Sequence, residues 1–112
     1  MPNAARLSDS VQGITAGEHS GHRPPHSPSP ITGSVSGGCS GDVFVNGLSA
    51  ATVGSVTEER DACCGTGYGS VRDGSESVFV NGKAAARLGD ALNAHNGTGW
   101  ISGGSENVFF GG

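Results

Sequence analysis

The residues of this chain that could do chemistry are four histidines and three cysteines. All but Cys39 lie well inside three Gly-, Ser- and Pro-rich segments: His19, His22 and His26 in residues 10–41, Cys63 and Cys64 in residues 55–76, and His95 in residues 91–106. Imidazole nitrogen and thiolate sulfur are the groups that Zn²⁺ takes as ligands in tetrahedral protein sites. The chemistry indicated is therefore metal binding.

Spacing alone does not make this signal specific, because His-x-x-His patterns recur by chance and an exposed loop histidine is usually only solvated. The distribution is stronger evidence, since three segments that meet in space could each give a ligand to one ion. Four protein ligands would leave no position for a catalytic water. Adjacent Cys63 and Cys64 could form a disulfide only through a strained ring, and Cys39 is expected to be a small buried hydrophobe.

The segments alternate with a repeated sequence, GDVFVNGLSAATVGS at 41–55 and ESVFVNGKAAARLGD at 76–90. In each copy, Val-Phe-Val favours a strand and Asn-Gly favours a two-residue type I′ turn. The Ala-Ala-Thr-Val or Ala-Ala-Arg-Leu that follows is predicted to form the second strand. Each copy therefore predicts a β-hairpin.

A third copy, VFFGG at 108–112, stops at the turn, and NAARLSDS at 3–10 matches the half that it lacks. Pairing of residues 4–7 beside residues 108–110 would close three hairpins around a pseudo-threefold axis. This closure predicts Leu7 next to Phe109 or Phe110, and it would remove exposed sheet edges. The expected organisation is one domain, residues 1–112.

The three connecting segments are predicted to be long loops, which in compact domains are usually functional or disordered. The first, containing EHSGHRPPHSPSPITGSVSGGC, has the composition of a flexible linker. The preferred interpretation is that the three loops converge and are pinned together by the metal.

Side chains next to the hairpins are expected to have structural roles. Asp9 and Asp90, in RLSD and RLGD, are expected to cap turns rather than to form a catalytic pair. Trp100, Ile101 and residues 108–110 are expected to pack in the core of the third unit.

Composition restricts the class of protein. The 21 glycines and few aromatic residues favour an all-β fold, and a net charge of −4 with scattered basic residues lacks the footprint of a nucleic-acid-binding protein. The chain has neither an apolar run of about 20 residues nor a signal-peptide pattern, so we expect a chain that starts near Met1 and folds in a cytoplasm. The sequence motifs of hydrolases, P-loop proteins and dinucleotide-binding enzymes are missing, and no enzymatic activity is expected.

The repeats resemble the PAAR-repeat family, named for a Pro-Ala-Ala-Arg motif after an Asn-Gly turn. The resemblance rests on AARLSD at 4–9, VFVNGLSAATVG at 43–54, VFVNGKAAARLGD at 78–90 and the final VFFGG, and it spans essentially the whole chain. The motif's proline is Ser49 or Ala84 here, and its arginine is Thr52 in the middle copy. The resemblance implies an all-β, compact cone of three pseudo-threefold β-hairpin repeats with long loops pinned by a metal near the apex.

The resemblance also implies a structural Zn²⁺, with iron as the less favoured metal. The stretch SGHRPPHSP is similar to a Gly-His, Pro-rich loop of phage-type members, and His95 follows the last RLGD as in the family. The ligand set implied in this way is His22, His26, Cys63 and His95, with His19 and Cys64 in reserve.

Such a protein caps the trimeric β-helical spike of a contractile injection machine, as one copy per spike, and is driven transiently through the target outer membrane. We favour the tip of a phage tail baseplate, because of the Gly-His-Pro-Pro loop and the lack of an effector extension. The alternative is the spike tip of a type VI secretion system, assembled in the bacterial cytoplasm and secreted with the spike. The surface that binds the spike is open, and its candidates are the hairpin residues Val43, Val45, Val78, Val80 and Val108.

Two other functions compete with this interpretation. A zinc-dependent envelope hydrolase would hold Zn²⁺ with three histidines and a water, and Glu18 could act as its general base. A soluble adaptor would carry an effector, a role for which family members tend to have additional domains.

Overall fold

The computed structural model describes residues 2–15, 30–61, 65–94 and 97–110. The strands are β1 (Ser10–Thr15), β2 (Pro30–Gly37), β3 (Phe44–Val45), β4 (Leu48–Ser49), β5 (Val56–Asp61), β6 (Gly65–Val71), β7 (Phe79–Val80), β8 (Lys83–Ala84), β9 (Ala91–Asn93) and β10 (Gly97–Ile101). The described residues contain no helix, and hence none that is long and apolar enough to cross a membrane. The prediction of an all-β fold is confirmed.

Six strands form a closed antiparallel barrel in the order β1-β10-β9-β6-β5-β2. These strands come from the segments predicted to be long loops, so that expectation was wrong for most of their described residues. Their glycine and serine residues made these strands hard to predict from the sequence. Small residues occur there because a barrel this narrow leaves little room for side chains. At Gly33, for example, a Cβ would collide with the backbone of Glu58 and Glu59.

The repeated sequences form the two-stranded hairpins β3-β4 and β7-β8. Asn46 and Gly47 have φ of 52° and 81°, and Asn81 and Gly82 have φ of 53° and 79°. Positive φ at both central positions is the type I′ geometry that Asn-Gly predicts. The second strands lie earlier than predicted, directly after the turns, and the Ala-Ala residues follow them.

The two ends of the chain form the third hairpin. Asn3 pairs with Phe109 in an antiparallel bridge, Ala4 N donates to Val108 O at 2.8 Å, and Phe110 N donates to Pro2 O at 3.0 Å. The predicted closure is therefore confirmed, but its register differs. Leu7 N donates to Ser49 O at 2.8 Å instead of pairing with Phe109, so Leu7 belongs to the next row of backbone hydrogen bonds.

The core is divided into two clusters that follow the pseudo-threefold axis. The barrel cluster contains Ala5, Val11, Val35, Ala51, Val71, Ala86, Leu92 and Ile101, and the hairpin cluster contains Ala4, Val45, Ala50, Val80 and Ala85. Ile101 is fully buried as predicted, whereas Trp100 and Phe109 are substantially exposed, contrary to the prediction. Their neighbours along each chain segment take the inward positions because side chains alternate across a strand.

Candidate functional site

The strand ends that flank the segments with the predicted metal ligands all lie at one end of the barrel. Strands β1, β5 and β9 run toward this end and β2, β6 and β10 run away from it, because each antiparallel pair is a hairpin. The segments that join these pairs, residues 16–29, 62–64 and 95–96, lie outside the described residues. So do the predicted ligands and their reserves: His22, His26, Cys63, His95, His19 and Cys64.

Within the described ranges, no group of three or more His, Cys, Asp and Glu side chains could hold a metal ion. The predicted zinc site therefore depends on residues outside those ranges. We call the barrel end that flanks them the loop end, defined by Thr15, Pro30, Asp61, Gly65 and Gly97.

A buried carboxylate lies in the barrel interior near the loop end. Glu59, two residues before the end of β5, has an exposed fraction of 0%, and the hydroxyl of Thr57 donates to its Oε2. Gly69 on the adjacent strand makes room for it, because a Cβ there would collide with Glu59 Oε2. The alternation in Val-Thr-Glu-Glu places Thr57 and Glu59 on one face and is a sequence signal for this residue, which was not among the predicted site residues.

The opposite end of the barrel, which we call the hairpin end, consists of the three hairpins. They are linked by the amides of the turn asparagines. Asn81 Nδ2 donates to Asp42 Oδ1 at 2.9 Å, and Ser40 Oγ donates to Asn81 Oδ1 at 2.6 Å. The hydrogen bond from Asn81 is the largest cause that lowers the pKa of Asp42, and the next is the hydrogen bond between Ser40 Oγ and Asp42 Oδ1 at 3.0 Å.

A second pair of hairpins is linked by hydrogen bonds in the same way. Asn46 Nδ2 donates to Asn107 Oδ1 at 2.9 Å, and Ser105 Oγ donates to Asn46 Oδ1. Arg6 Nη1 also donates to Asn46 Oδ1 at 3.2 Å. The asparagine of each Asn-Gly turn therefore has two roles, because it accepts positive φ and also binds the neighbouring hairpin.

The hairpin end exposes its phenylalanines more than its valines. Phe44, Phe79 and Phe109 occupy equivalent positions and have exposed fractions of 58%, 61% and 45%. Val45 and Val80 are buried, so these two candidates for the docking surface were wrong. Val78 and Val108 are partly buried against the hairpin cluster, and Val43 is exposed.

The predicted capping role of the two aspartates is confirmed. Asp9 Oδ2 accepts from Arg6 N and Asp90 Oδ2 accepts from Arg87 N, both at 2.7 Å. Each carboxylate also binds the guanidinium of the same arginine, with a closest ion-pair distance of 2.9 Å. The hydrogen bond to the aspartate is the main cause that raises the pKa of each arginine.

The middle unit forms the same turn without charges. Ser55 Oγ accepts from Thr52 N at 2.9 Å and donates to Gly38 O at 3.0 Å. Cys39, next to this turn, is half-buried against the barrel cluster, and burial raises the pKa of its thiol although a hydrogen bond with Ser55 lowers it. Cys39 packs against the core as a small hydrophobe, but it is only partly buried and not fully buried as predicted.

The sequence pattern of the PAAR motif, taken from the family as a whole, matches residues 21–95 of the chain, which is more than half of its 112 residues. The chain belongs to the PAAR motif family. No protein with a curated description matches it. The PAAR match supports a role as the spike tip of a contractile injection machine, a class that includes phage tails and type VI secretion systems. PAAR spike tips are structural proteins, and the partner that the motif implies is a spike trimer.

Proposed function

We propose that this PAAR protein is the tip of a contractile phage tail, with the hairpin end docked on the trimeric spike and the loop end leading. One copy would cap each spike. Sheath contraction would drive the tip through the outer membrane of the target cell, and no covalent bond would be made or broken.

The observation that carries the proposal is the equivalence of the three hairpins. Phe44, Phe79 and Phe109 each follow a valine and precede a residue that packs in the hairpin cluster. A homotrimer presents three identical surfaces around its axis, and a single chain can satisfy all three only if it repeats its own contact surface three times. The hairpin end has this property, whereas the loop end is joined by segments of unequal length.

The loop end is the proposed site of a structural Zn²⁺. His22, His26, Cys63 and His95 supply imidazole and thiolate, a donor set that suits tetrahedral zinc. The segments that contain them join strand ends on one side of the barrel, which is consistent with a shared ion. When bound, the metal would supply folding free energy and hold the leading segments together, because ligands from distant parts of the chain are joined at one point.

Mechanical loading is consistent with the described fold. The closed barrel has no free edge, and its strands are continuous in hydrogen bonding around the axis. The molecule is elongated, with extents of 44 × 24 × 23 Å. These features suit a narrow, stiff tip whose force is transmitted along its long axis.

Coexpression with the trimeric β-helical spike protein of the same machine tests the proposal. We expect a complex of one chain per spike trimer by native mass spectrometry, with the hairpin end at the interface by cryo-electron microscopy. A failure to bind the spike, or binding through the loop end, would contradict the proposal. Detection of the protein in purified phage particles would support the phage assignment, whereas export that requires a type VI sheath would support the alternative.

A further inference from the structure

We infer that the tip joins its spike by β-strand addition, in which three free strand edges at the hairpin end receive main-chain hydrogen bonds from the trimer. This inference rests on the proposed docking of the hairpin end, and it specifies the chemistry of that interface. Docking through the exposed phenylalanine side chains alone is the alternative that it excludes.

The order of the strands shows which edge is free. Leu7 N donates to Ser49 O, so β4 is bound on the side nearer the barrel by the chain segment that contains Leu7. On its other side, β4 pairs with β3. Across the described residues, β3 pairs with β4 alone, so β3 is the last strand away from the barrel.

The other two hairpins have the same order. Val53 N donates to Ala84 O at 2.9 Å on the barrel side of β8, and β7 is the outer strand. Leu88 N donates to Asn3 O at 2.8 Å, and residues 108–110 are outermost in the third hairpin. The expected removal of sheet edges therefore applies to the barrel and not to the hairpin end.

Hydrogen-bonded and non-hydrogen-bonded residue pairs alternate along antiparallel strands. This alternation identifies the main-chain N–H and C=O groups that lie on each free edge. In a two-residue hairpin, the residues that flank the turn exchange both main-chain hydrogen bonds, and the next pair exchanges none. Val45 and Leu48 flank the turn, and Phe44 is paired with Ser49. The N–H and C=O of Phe44 therefore point away from β4, toward the free edge.

The main-chain hydrogen bonds of the structure support this alternation in all three hairpins. Ala50 N donates to Val43 O and Ala85 N to Val78 O, which are the hydrogen-bonded pairs on the far side of each phenylalanine. In the third hairpin, Val108 O and Phe110 N bind Ala4 and Pro2, so Phe109 between them faces outward. Each edge thus presents the N–H and C=O of one phenylalanine: Phe44, Phe79 and Phe109.

The exposed aromatic rings favour the same partner. Strand addition would bring a side chain of the added strand directly opposite each phenylalanine, at about 4.5–5.5 Å between Cβ atoms. Aromatic rings make favourable cross-strand pairs, so each phenylalanine would contribute both its backbone and its ring to one spike subunit.

Charge argues for the spike rather than for a second copy of this chain. An acidic residue precedes each free edge by two or three positions: Asp42, Glu76 and Glu106. Edge-to-edge pairing of two copies would place the acidic residues of both copies in one contact area, and like charges at an exposed edge oppose such pairing. A spike surface with neutral or basic residues around its axis would not meet this repulsion.

Hydrogen exchange of individual amides provides the first test. In the free tip, the amides of Phe44, Phe79 and Phe109 have no acceptor among the residues that the structure describes, and they should exchange rapidly. In the complex with the spike trimer, all three should be slowed at least tenfold, while the amide of Val45, bonded inside its hairpin, should be slow in both states. Fast exchange at the three phenylalanines in a complex that has formed would overturn the inference. Absence of any complex would instead contradict the proposed function.

A comparison of proline and alanine variants distinguishes the contribution of the backbone N–H to spike binding from that of the aromatic ring. F44A removes the ring and keeps the N–H, whereas F44P removes both and breaks no internal hydrogen bond, because that N–H is on the free edge. We expect F44P to bind the spike about fivefold more weakly than F44A, which is the loss of about one hydrogen bond. The pairs at Phe79 and Phe109 should behave alike, since a threefold partner treats the three hairpins equally.

Equal affinity of the alanine and proline variants would show that only side chains dock. Self-association of the free tip through these edges, detected by sedimentation, would show that the occupant is a second copy and would also contradict the inference. The melting temperature of each proline variant identifies any that fails to fold, and the exchange experiment on the unmodified chain does not depend on these variants.

Discussion

Ala5 N donates to Ala86 O at 3.0 Å across the pseudo-threefold axis. Two further bonds of the same length, from Ala86 N to Ala51 O and from Ala51 N to Ala5 O, complete a ring of three. All three alanines have no exposed surface. The second alanine of each repeat is therefore small because three copies of it meet at one level of the axis.

The ring of three hydrogen bonds predicts that larger side chains at these alanines will lower the free energy of unfolding. Ala51→Val should cost about 1–3 kcal/mol in the free energy of unfolding, since added methyl groups overpack a close contact. Ala84→Val, at a half-buried position on the outer hairpin, should be within about 0.5 kcal/mol of the parent. Urea unfolding measures both, and equal stability of the two variants would argue against tight packing on the axis.

The hydrogen bond from Asn81 to Asp42 predicts a dependence of stability on pH. Because folding lowers the pKa of Asp42 from its ordinary value of 3.8, its contribution is present above that pH. It is lost as the pH falls through the lowered folded pKa. Asn81→Gly keeps a residue that accepts positive φ but removes this donor.

We therefore expect Asn81→Gly to destabilise the protein at neutral pH, with a difference from the parent that shrinks in acid. Asn46→Gly is the matched control, because the partners that it loses, Asn107, Ser105 and Arg6, do not titrate between neutral pH and the ordinary pKa of an aspartate. The free energy of unfolding, measured between neutral pH and pH values below the ordinary pKa of Asp42, tests this. A difference for Asn81→Gly that is independent of pH would contradict the assignment.

The uncharged turn of the middle unit predicts how the charged turns respond to substitution. Asp90→Ala should cost about 1–3 kcal/mol, because it removes the carboxylate that accepts from Arg87 N and from the Arg87 guanidinium. Asp90→Ser should cost less, since Ser55 caps Thr52 N in the same way.

The double variant Arg87→Thr with Asp90→Ser reproduces the middle unit and should recover most of the stability lost in Asp90→Ala. Thermal unfolding of the single and double variants decides this. A double variant less stable than Asp90→Ala would indicate that the ion pair itself is needed.

The proposed zinc predicts a coupling between metal content and stability. His22→Ala and His95→Ala should each abolish stoichiometric zinc, measured by mass spectrometry of the metal, and should lower the melting temperature. A chelator should destabilise the parent but have little effect on these two variants. His19→Ala is the control and should retain the metal; full zinc content in His22→Ala or His95→Ala would show that the ligands are different ones.

Local features of the hairpins could be predicted from the sequence with good accuracy. The Asn-Gly turns, the capping by Asp9 and Asp90 and the closure of the third hairpin all follow from short-range preferences or from the comparison of repeats. The strands of the barrel were missed because glycine and serine have weak strand preference on their own. Close approach of neighbouring strands, as at Gly33, selects small residues there.

The face of each hairpin residue also required the tertiary structure. Alternation in Val-Phe-Val predicts two faces but does not say which one is buried. The alanine ring and the hairpin cluster decide this, because they bury Val45 and Val80 and leave the phenylalanines outside.

The sequence by itself determined that one hairpin occurs three times and that the two ends of the chain pair to form the third hairpin, because the repeated motif predicts both features. Only the tertiary structure decided the register of that closure, the barrel between the hairpins and the free edges at Phe44, Phe79 and Phe109. The physical reason is that repeats specify local conformation, whereas register and exposure depend on which distant strands take up the remaining main-chain hydrogen bonds.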